Sequence, residues 1–340
     1  LPSDVKLAAL IPADIDRLGP MWLELHRHHR TVAPHLGPFV SDDESWANRK
    51  RQYQKIFAGE YFGLVASMGG NDIGYLLSIK RPMDWTATFD GPANLWELVT
   101  IVLLPAWRGN GTGMAMLDAW KERVAASDAR ARLIGVIPDN VKAVSLYGSL
   151  GLVPTWVTLT RYQRRPSARA LSNTSAAIET APESDVASLK ALWLSLHRHN
   201  QAVSPGLGPW VDDERSWQIG QQHLMRSARE GLLFVARDKA SNEAAPLGLA
   251  GVEIHDMDEH PSWADTLVTD RRVAEIKFLV IGEQARGKGI GAAIMDEVDR
   301  LLASRRVHDQ FAGAISPNYQ AIRFYERRGF RPTWLEFSSF

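Results

Sequence analysis

The chain repeats itself, and a fold built from it must be able to accommodate the same unit twice. Trp22-Leu-Glu-Leu-His26-Arg27-His28 returns as Trp193-Leu-Ser-Leu-His197-Arg198-His199. Leu36-Gly37-Pro38 returns as Leu207-Gly208-Pro209, and Ser45-Trp46 as Ser216-Trp217. Between 22–46 and 193–217, 15 of 25 positions are identical at a constant offset of 171. Further on the offset is 178, linking Glu97 to Glu275, Asn140 to Asn318, Tyr147 to Tyr325 and Pro154-Thr155-Trp156 to Pro332-Thr333-Trp334. The drift of seven residues marks a gain in the second copy, for which polar Asp238–Pro246 is one place. Such agreement within one chain signifies a duplicated unit. It sets a first copy over 1–163, an Arg/Ser/Ala-rich linker over 164–175 and a second copy over 176–340.

Composition narrows the function classes. The 39 basic residues balance the 39 acidic ones, so no bulk attraction to nucleic acid or to a membrane surface is expected. The most apolar segment, Leu95–Trp107, is interrupted by Glu97 and Thr100 and is too short to span a bilayer. No basic start followed by an apolar core marks a signal peptide in residues 1–20. The absence of cysteine removes disulfides, thiolate zinc sites and a thiol nucleophile, and fits a cytoplasmic protein.

Each copy shows the same order of elements. A helix follows Pro12 or Pro182, with Leu18, Trp22 and Leu25, or Leu189, Trp193 and Leu196, on one face. A Pro/Gly loop leads to a second helix near Trp46 or Trp217. Short strands follow at Phe62–Ala66 and Ile73–Ile79, then at Leu232–Ala236 and Leu247–Val252, with Gly69-Gly70-Asn71-Asp72 as a hairpin turn. A strand, a glycine loop and a helix come next. Leu133–Ile137 or Phe311–Ile315 is a further strand, a short helix bears Tyr147 or Tyr325, and a last strand follows the tryptophan at 156 or 334. This is an α+β order with a mixed, mainly antiparallel sheet flanked by helices.

The glycine loops carry the chemistry. In the second copy an apolar run at Ile276–Ile281 enters Arg286-Gly287-Lys288-Gly289-Ile290-Gly291, and a helical period opens at Ile290. The first copy has Arg108-Gly109-Asn110-Gly111-Thr112-Gly113 after its own strand. Glycine lets successive N–H groups converge at the positive end of a helix, which makes a cradle for phosphate. A dinucleotide fingerprint also fits Gly287-Lys-Gly289-Ile-Gly-Ala292. That motif belongs in the first strand–helix turn of its domain, whereas this loop lies deep in its copy, and the first copy has Met114 where Gly or Ala is required.

Both units resemble the Gcn5-related N-acetyltransferases (GNAT). The family's Arg/Gln-x-x-Gly-x-Gly/Ala signature fits Arg108–Gly113 and Arg286–Gly291. Its second element, Asn-x-x-Ala-x-x-x-Tyr followed by Gly-Phe, matches Asn318, Ala321, Tyr325, Gly329 and Phe330 throughout. Asn140, Ala143, Tyr147, Gly151 and Leu152 match all but the last position. The resemblance covers both copies and implies two tandem acyl-CoA N-acyltransferase domains. It implies acetyl-CoA, or another acyl-CoA, as cofactor, with its pyrophosphate on the two glycine loops. Its pantetheine arm would lie along Leu98–Leu103 and Ile276–Ile281, touching Val102, Leu103, Val280 and Ile281. Asn140 and Asn318 would orient the cofactor or cap the short helix.

The same resemblance implies direct attack of a small amine on the thioester. Glu275, and Glu97 in the first copy, stand where many family members carry the base that deprotonates the amine; a solvated or ion-paired strand-end Glu is the plain structural alternative. Tyr325 and Tyr147 match the tyrosine that protonates the leaving thiolate; a core-packed ring is the alternative. His26-Arg27-His28 and its repeat do not put both imidazoles on one helix face, so no metal is expected, and contacts with the Pro/Gly loop are. The second copy carries His255-Asp256-Met-Asp258-Glu259-His260 before its core strand, where the first has Lys80-Arg81-Pro-Met-Asp84-Trp85. The acidic version would attract a cationic amine, with a solvated loop as the plain alternative; with its closer match to the family elements, the C-terminal copy is expected to be the catalytic one. Family members with two copies include mycothiol synthases and tandem proteins of antibiotic gene clusters. A pair of acyl-CoA-binding modules without catalysis, and a peptide acetyltransferase, are the competing readings.

Overall fold

The computed structural model of the chain describes residues 4–83, 87–91, 93–129, 131–162, 174–239, 245–256, 267 and 272–339. Residues 164–173 of the expected linker lie outside the described residues. So do 240–244 of the insertion, Met257–His260 of the acidic segment, and Asp84 and Trp85 of its basic counterpart.

The first copy comprises β1 (Val5–Ala9), α1 (Gly19–Val32), α2 (Asp42–Phe57), β2 (Tyr61–Met68), β3 (Asn71–Pro82), β4 (Asn94–Leu103), α3 (Thr112–Ala125), β5 (Ala131–Val136), α4 (Val141–Ser149) and β6 (Val153–Arg161). The second repeats this order: β7 (Ala176–Thr180), α5 (Lys190–Val203), α6 (Asp213–Arg229), β8 (Leu233–Asp238), β9 (Gly248–Asp256), β10 (Arg272–Ile281), α7 (Ile290–Ser304), β11 (Asp309–Ile315), α8 (Tyr319–Arg327) and β12 (Arg331–Ser339). The fold is α+β, and among the described residues only β4–β5 and β10–β11 pair in parallel. The opening strands β1 and β7 are additions to the sequence reading, and the tryptophans at 156 and 334 lie inside the last strands rather than before them. Among the described residues, no helix is long and apolar enough to cross a membrane.

Local chemistry accounts for the repeated residues. The Gly69-Gly70 hairpin has both residues at positive φ, as a tight two-residue turn between right-twisted strands requires. Ser41 and Asp212 cap α2 and α6 by accepting from the Glu44 and Arg215 amides. Trp22 and Trp193 recur with Ser45 and Ser216 because each indole N–H donates to that serine hydroxyl, at 3.0 and 3.1 Å. A buried indole needs such a partner.

The sheet does not divide where the sequence repeat does. Its twelve strands run β1-β2-β3-β4-β5-β12-β6-β11-β10-β9-β8-β7. The last strand of each copy pairs with the other: β12 lies antiparallel on β5 and β6 on β11, and β6 and β12 pair with each other at the centre. Val157 and Leu159 of β6 therefore join the core of the second copy, around Tyr325 and Phe330. Phe337 of β12 joins the core of the first, around Tyr147.

Two glycines make the exchange fit. A Cβ on Gly313 of β11 would lie 2.1 Å from the Trp156 ring of β6, and a Cβ on Gly135 of β5 would lie 2.1 Å from the Trp334 indole. Each indole thus covers a glycine of the strand it crosses to. Gly313→Ala should destabilise the protein by about 1–3 kcal/mol through overpacking, read as a lower urea midpoint at unchanged slope. An unchanged midpoint would mean that the indole moves aside freely.

Candidate active site

Parallel pairing of β10 with β11 stops at Ile276–Ala312, although β10 continues to Ile281. The β4–β5 pairing stops likewise at Leu98–Ile134, short of Leu103. Beyond those points the neighbouring strands part, and one edge of β10 and of β4 is left open to pair with an extended ligand. A register shift helps: β10 is irregular between Ile276 and Phe278, and its equivalent on β4 falls between Leu98 and Thr100, opposite Ser78 and Leu77.

The glycine loops stand at the mouth of each opening. Gly289 (φ 76°) and Gly111 (φ 88°) precede the first residues of α7 and α3, with Gly287 (φ 75°) and Gly109 (φ 77°) two residues earlier. No atom lies within 4 Å of a Cβ built on any of the four, so the loops are set by backbone conformation and face open space. Two helix N-termini with convergent amides in front of them suit a diphosphate. Arg108 and Arg286 fold back, each donating through Nε to the last strand carbonyl, Leu103 O at 2.9 Å and Ile281 O at 3.3 Å. That contact ties each loop to its strand.

In the second copy one groove joins the pieces. It is lined by Val280, Ile281, Arg286, Gly291, Asn318 and Tyr325, all singled out from sequence, with apolar walls from Leu196, Leu279 and Phe324. Asn318 caps α8, accepting from the Ala321 amide at 3.1 Å, and Asn140 caps α4 through Ala143 at 3.4 Å. Tyr325 is buried, its ring edge-on to Phe324 and Phe330 at 5.5 and 5.4 Å. Among the described residues its hydroxyl has no hydrogen-bond partner. Burial pushes the phenol well above its ordinary range. Tyr147 is buried against Phe337, and burial pushes its phenol up to about 12.

The His-Arg-His triplet divides into three roles. His26 and His197 are buried, and each Nε2 meets a carbonyl just beyond the Pro/Gly loop, Val40 O at 3.2 Å and Val211 O at 2.9 Å. Arg27 and Arg198 pair with Asp42 and Asp213 at the starts of α2 and α6. The third member points elsewhere. His199 lines the groove beside Arg286 and Asn318; burial, then the Arg286 charge, lowers its pKa against the Asn318 hydrogen bond. His28 stands in the same relation to Arg108 and Asn140. Sequence spacing separated the two imidazoles but could not say which one faces the cleft.

The largest difference between the copies lies one strand over. Glu275 pairs directly with Glu253 across β10–β9. His255 Nε2 meets Glu275 Oε2 at 2.9 Å, and Lys277 Nζ meets Glu275 Oε1 at 3.2 Å. Burial raises the Glu275 pKa, but the His255 hydrogen bond and the Lys277 charge outweigh it and hold the carboxyl below the usual range. Glu253 is 6% exposed; His223, 3.8 Å from its Oε1, lowers its pKa first, opposed by burial and helped by Lys277 and Arg226. Glu253, His255 and Glu275 offer one ligand atom each within 4.8 Å of one another. Lys277 and Arg226 already supply counter-charge there. In the first copy Ile79 faces Glu97, and Arg81 stands in the position of His255, donating to Glu97 Oε2 at 2.5 Å. Glu253 was not singled out from sequence, and His255 only as the start of the acidic segment expected near the acceptor. The alternation Glu253-Ile-His255 shows that both share a strand face, but not which residues lie opposite.

Loops of the two copies also meet. Asp90 donates to Pro209 O at 2.8 Å and Ser216 Oγ donates to Ala87 O at 3.0 Å, which closes the second copy's Pro/Gly loop with a first-copy segment. Phe39 bridges to Leu267 in the opposite sense.

A model of the acetyltransferase (GNAT) family matches residues 22–152 and again 192–330. A curated mycothiol acetyltransferase of Frankia casuarinae is 25% identical over 168 residues, 49% of this chain and 46% of that protein, so the match spans under half the relative's length. Among solved structures, a GCN5-related N-acetyltransferase from Sphaerobacter thermophilus aligns over 100% of this chain and 96% of its own, with 15% identity and a TM-score of 0.56. A GCN5-related glucosamine N-acetyltransferase region of a fungal multi-domain GH3 β-N-acetylglucosaminidase aligns over 100% of this chain and 38% of that one, with 17% identity and a TM-score of 0.56. At such identities these structures share the fold.

Proposed function

Since the chain belongs to the acetyltransferase (GNAT) family, we propose that its C-terminal copy, residues 176–340, transfers an acetyl or other acyl group from CoA to a small amine. The N-terminal copy, residues 1–163, binds acetyl-CoA and has a mainly structural part. The observation that carries the reading is the contrast between the Glu275–His255 and Glu97–Arg81 pairs. An alkyl ammonium, pKa about 10, must shed a proton before it attacks. A carboxylate hydrogen-bonded to an imidazole belongs to a pair that can take up that proton near neutral pH. Glu275 also meets the Lys277 ammonium, but its other partner is an imidazole, whereas the guanidinium on Glu97 keeps its proton.

The groove, the glycine loop at its mouth and the Glu275–His255 pair outside its lining then take these roles. The amides of Gly287–Ile290 hold the diphosphate, and the open edge of β10 aligns the pantetheine arm. The amine, deprotonated at the Glu275–His255 pair, forms a bond from its nitrogen to the thioester carbonyl carbon. The C–S bond breaks as the tetrahedral adduct collapses, and the thiolate takes the Tyr325 hydroxyl proton. The surplus proton on the adduct nitrogen passes to solvent, solvent reprotonates the Tyr325 phenolate, and the proton held at Glu275–His255 leaves as the one net proton released. The relative's name, mycothiol acetyltransferase, favours a small acceptor.

The test is thiol release from acetyl-CoA across a panel of small amines. Glu275→Gln should lower kcat/KM for the amine by about a hundredfold, whereas Glu97→Gln should leave it within about twofold. Equal losses would assign turnover to both copies. No turnover by the wild type on any amine, with acyl-CoA still bound, would favour the non-catalytic reading.

A further inference from the structure

Tyr325 is held from behind by a residue of the other copy. Arg161 ends β6, the strand the first copy gives to the second copy's half of the sheet, opposite Gln310 of β11. It is 9% exposed. Its Nη2 pairs with Asp299 of α7, its Nη1 donates to Arg328 O at 3.2 Å, and its guanidinium lies 4.7 Å from the Phe330 ring centroid. Arg328 is fixed in turn by Asp296 at 2.6 Å and by Ala292 O at 3.3 Å, both on α7. Gln310 Nε2 donates to Asp299 Oδ1 at 2.9 Å. These contacts converge on the turn that follows α8. There the Arg328 and Phe330 amides both donate to Tyr325 O, at 2.9 and 3.1 Å, and Phe330 packs edge-on to the Tyr325 ring.

We propose that Arg161 is a positioning residue for Tyr325: through Phe330, Arg328 and Asp299 it fixes where the phenol stands in the groove. This rests on the acyltransfer reading above. The N-terminal copy thereby supplies part of the C-terminal site. The dependence runs one way. Ser339 occupies the matching place on β12 and accepts from Arg132 at 3.0 Å, while Lys121 and Leu150 stand where Asp299 and Arg328 would be. Tyr147 meets the apolar ring of Phe337 from the exchanged strand. A lysine at 161 keeps the charge for Asp299, but its single ammonium cannot also match the planar fork that reaches Arg328 O and stacks on Phe330.

The experiment uses the full chain labelled with 13Cζ-tyrosine; among its seven tyrosines, the Tyr325 and Tyr147 signals are assigned with Tyr325→Phe and Tyr147→Phe. In Arg161→Met the Tyr325 signal should shift or broaden while the Tyr147 signal stays. kcat should fall about tenfold with KM for acetyl-CoA within about twofold. In a Tyr325→Phe background the same change should cost no further kcat, because its effect passes through that hydroxyl. Arg161→Lys and Asp299→Asn should give intermediate losses, and they serve if Arg161→Met does not fold. An unmoved Tyr325 signal, an unchanged kcat, or a loss that persists in full without the Tyr325 hydroxyl overturns the proposal. A moved signal in a protein that acylates no amine would overturn the acyltransfer reading and leave the packing role of Arg161 intact.

Discussion

Replacing Gly289 by glutamate should abolish turnover and raise the dissociation constant for acetyl-CoA by at least about a hundredfold, some 2.7 kcal/mol. Two causes add. Gly289 has φ 76°, a conformation in which a side-chain-bearing residue costs about 1–2 kcal/mol. Relief of that strain turns the loop and scatters the amides that a diphosphate needs. The new carboxylate also stands at the first turn of α7, where the helix end favours the cofactor's anion and now meets a competing one. No atom lies within 4 Å of a Cβ built at this position, so the fold should survive. Gly111, with φ 88° and the same open space, is the matched control. Gly111→Glu should remove one bound acyl-CoA by native mass spectrometry and leave turnover in place. Wild-type affinity in Gly289→Glu would mean that the loop does not hold the diphosphate.

The second large effect belongs to Tyr325. Tyr325→Phe should lower kcat about 100- to 1,000-fold with little change in the KM for acetyl-CoA. A thiolate leaving group of pKa about 8.5 must be protonated as it departs or it re-attacks. Burial keeps the Tyr325 phenol protonated at neutral pH, so the proton is available. The ring packs against Phe324 and Phe330 in the variant as in the wild type. The hydroxyl has no hydrogen-bond partner among the described residues, so its removal should cost almost no stability. Chemical-denaturation midpoints should therefore agree while rates do not. Tyr147→Phe should change kcat by less than about twofold, because the carboxylate of its copy is held in the Glu97–Arg81 pair. Full activity in Tyr325→Phe would remove the tyrosine from the chemistry.

What the sequence disclosed followed from locality. The strand, glycine loop and helix start are contiguous, and Asn318 and Tyr325 are seven apart on one short helix, so their placement needed no knowledge of the sheet. The Trp22–Ser45 and Trp193–Ser216 pairs explain why those residues recur. The opening strands escaped notice because VKLAA and AAIET are short, rich in alanine and carry no clear alternation. The exchange of β6 and β12 is not legible for a physical reason. Both strands carry Pro-Thr-Trp, and both acceptor strands offer a glycine, Gly135 or Gly313, so either pairing satisfies the same local pattern. The partnership of Glu275 with Glu253 and His255 depends on strand register, which alternation alone leaves open. Arg161 lies 138 residues from Asp299 and is invisible as a partner without the sheet order.

The most direct measurement is a crystal structure of the protein grown with acetyl-CoA. The account predicts diphosphate density against the Gly287–Ile290 amides at the start of α7, the pantetheine arm along the open edge of β10 through Leu279–Ile281, and the sulfur within hydrogen-bonding reach of the Tyr325 hydroxyl. Density for the cofactor elsewhere on the chain, or a second-copy groove closed by its own side chains while acetyl-CoA is bound, would contradict it.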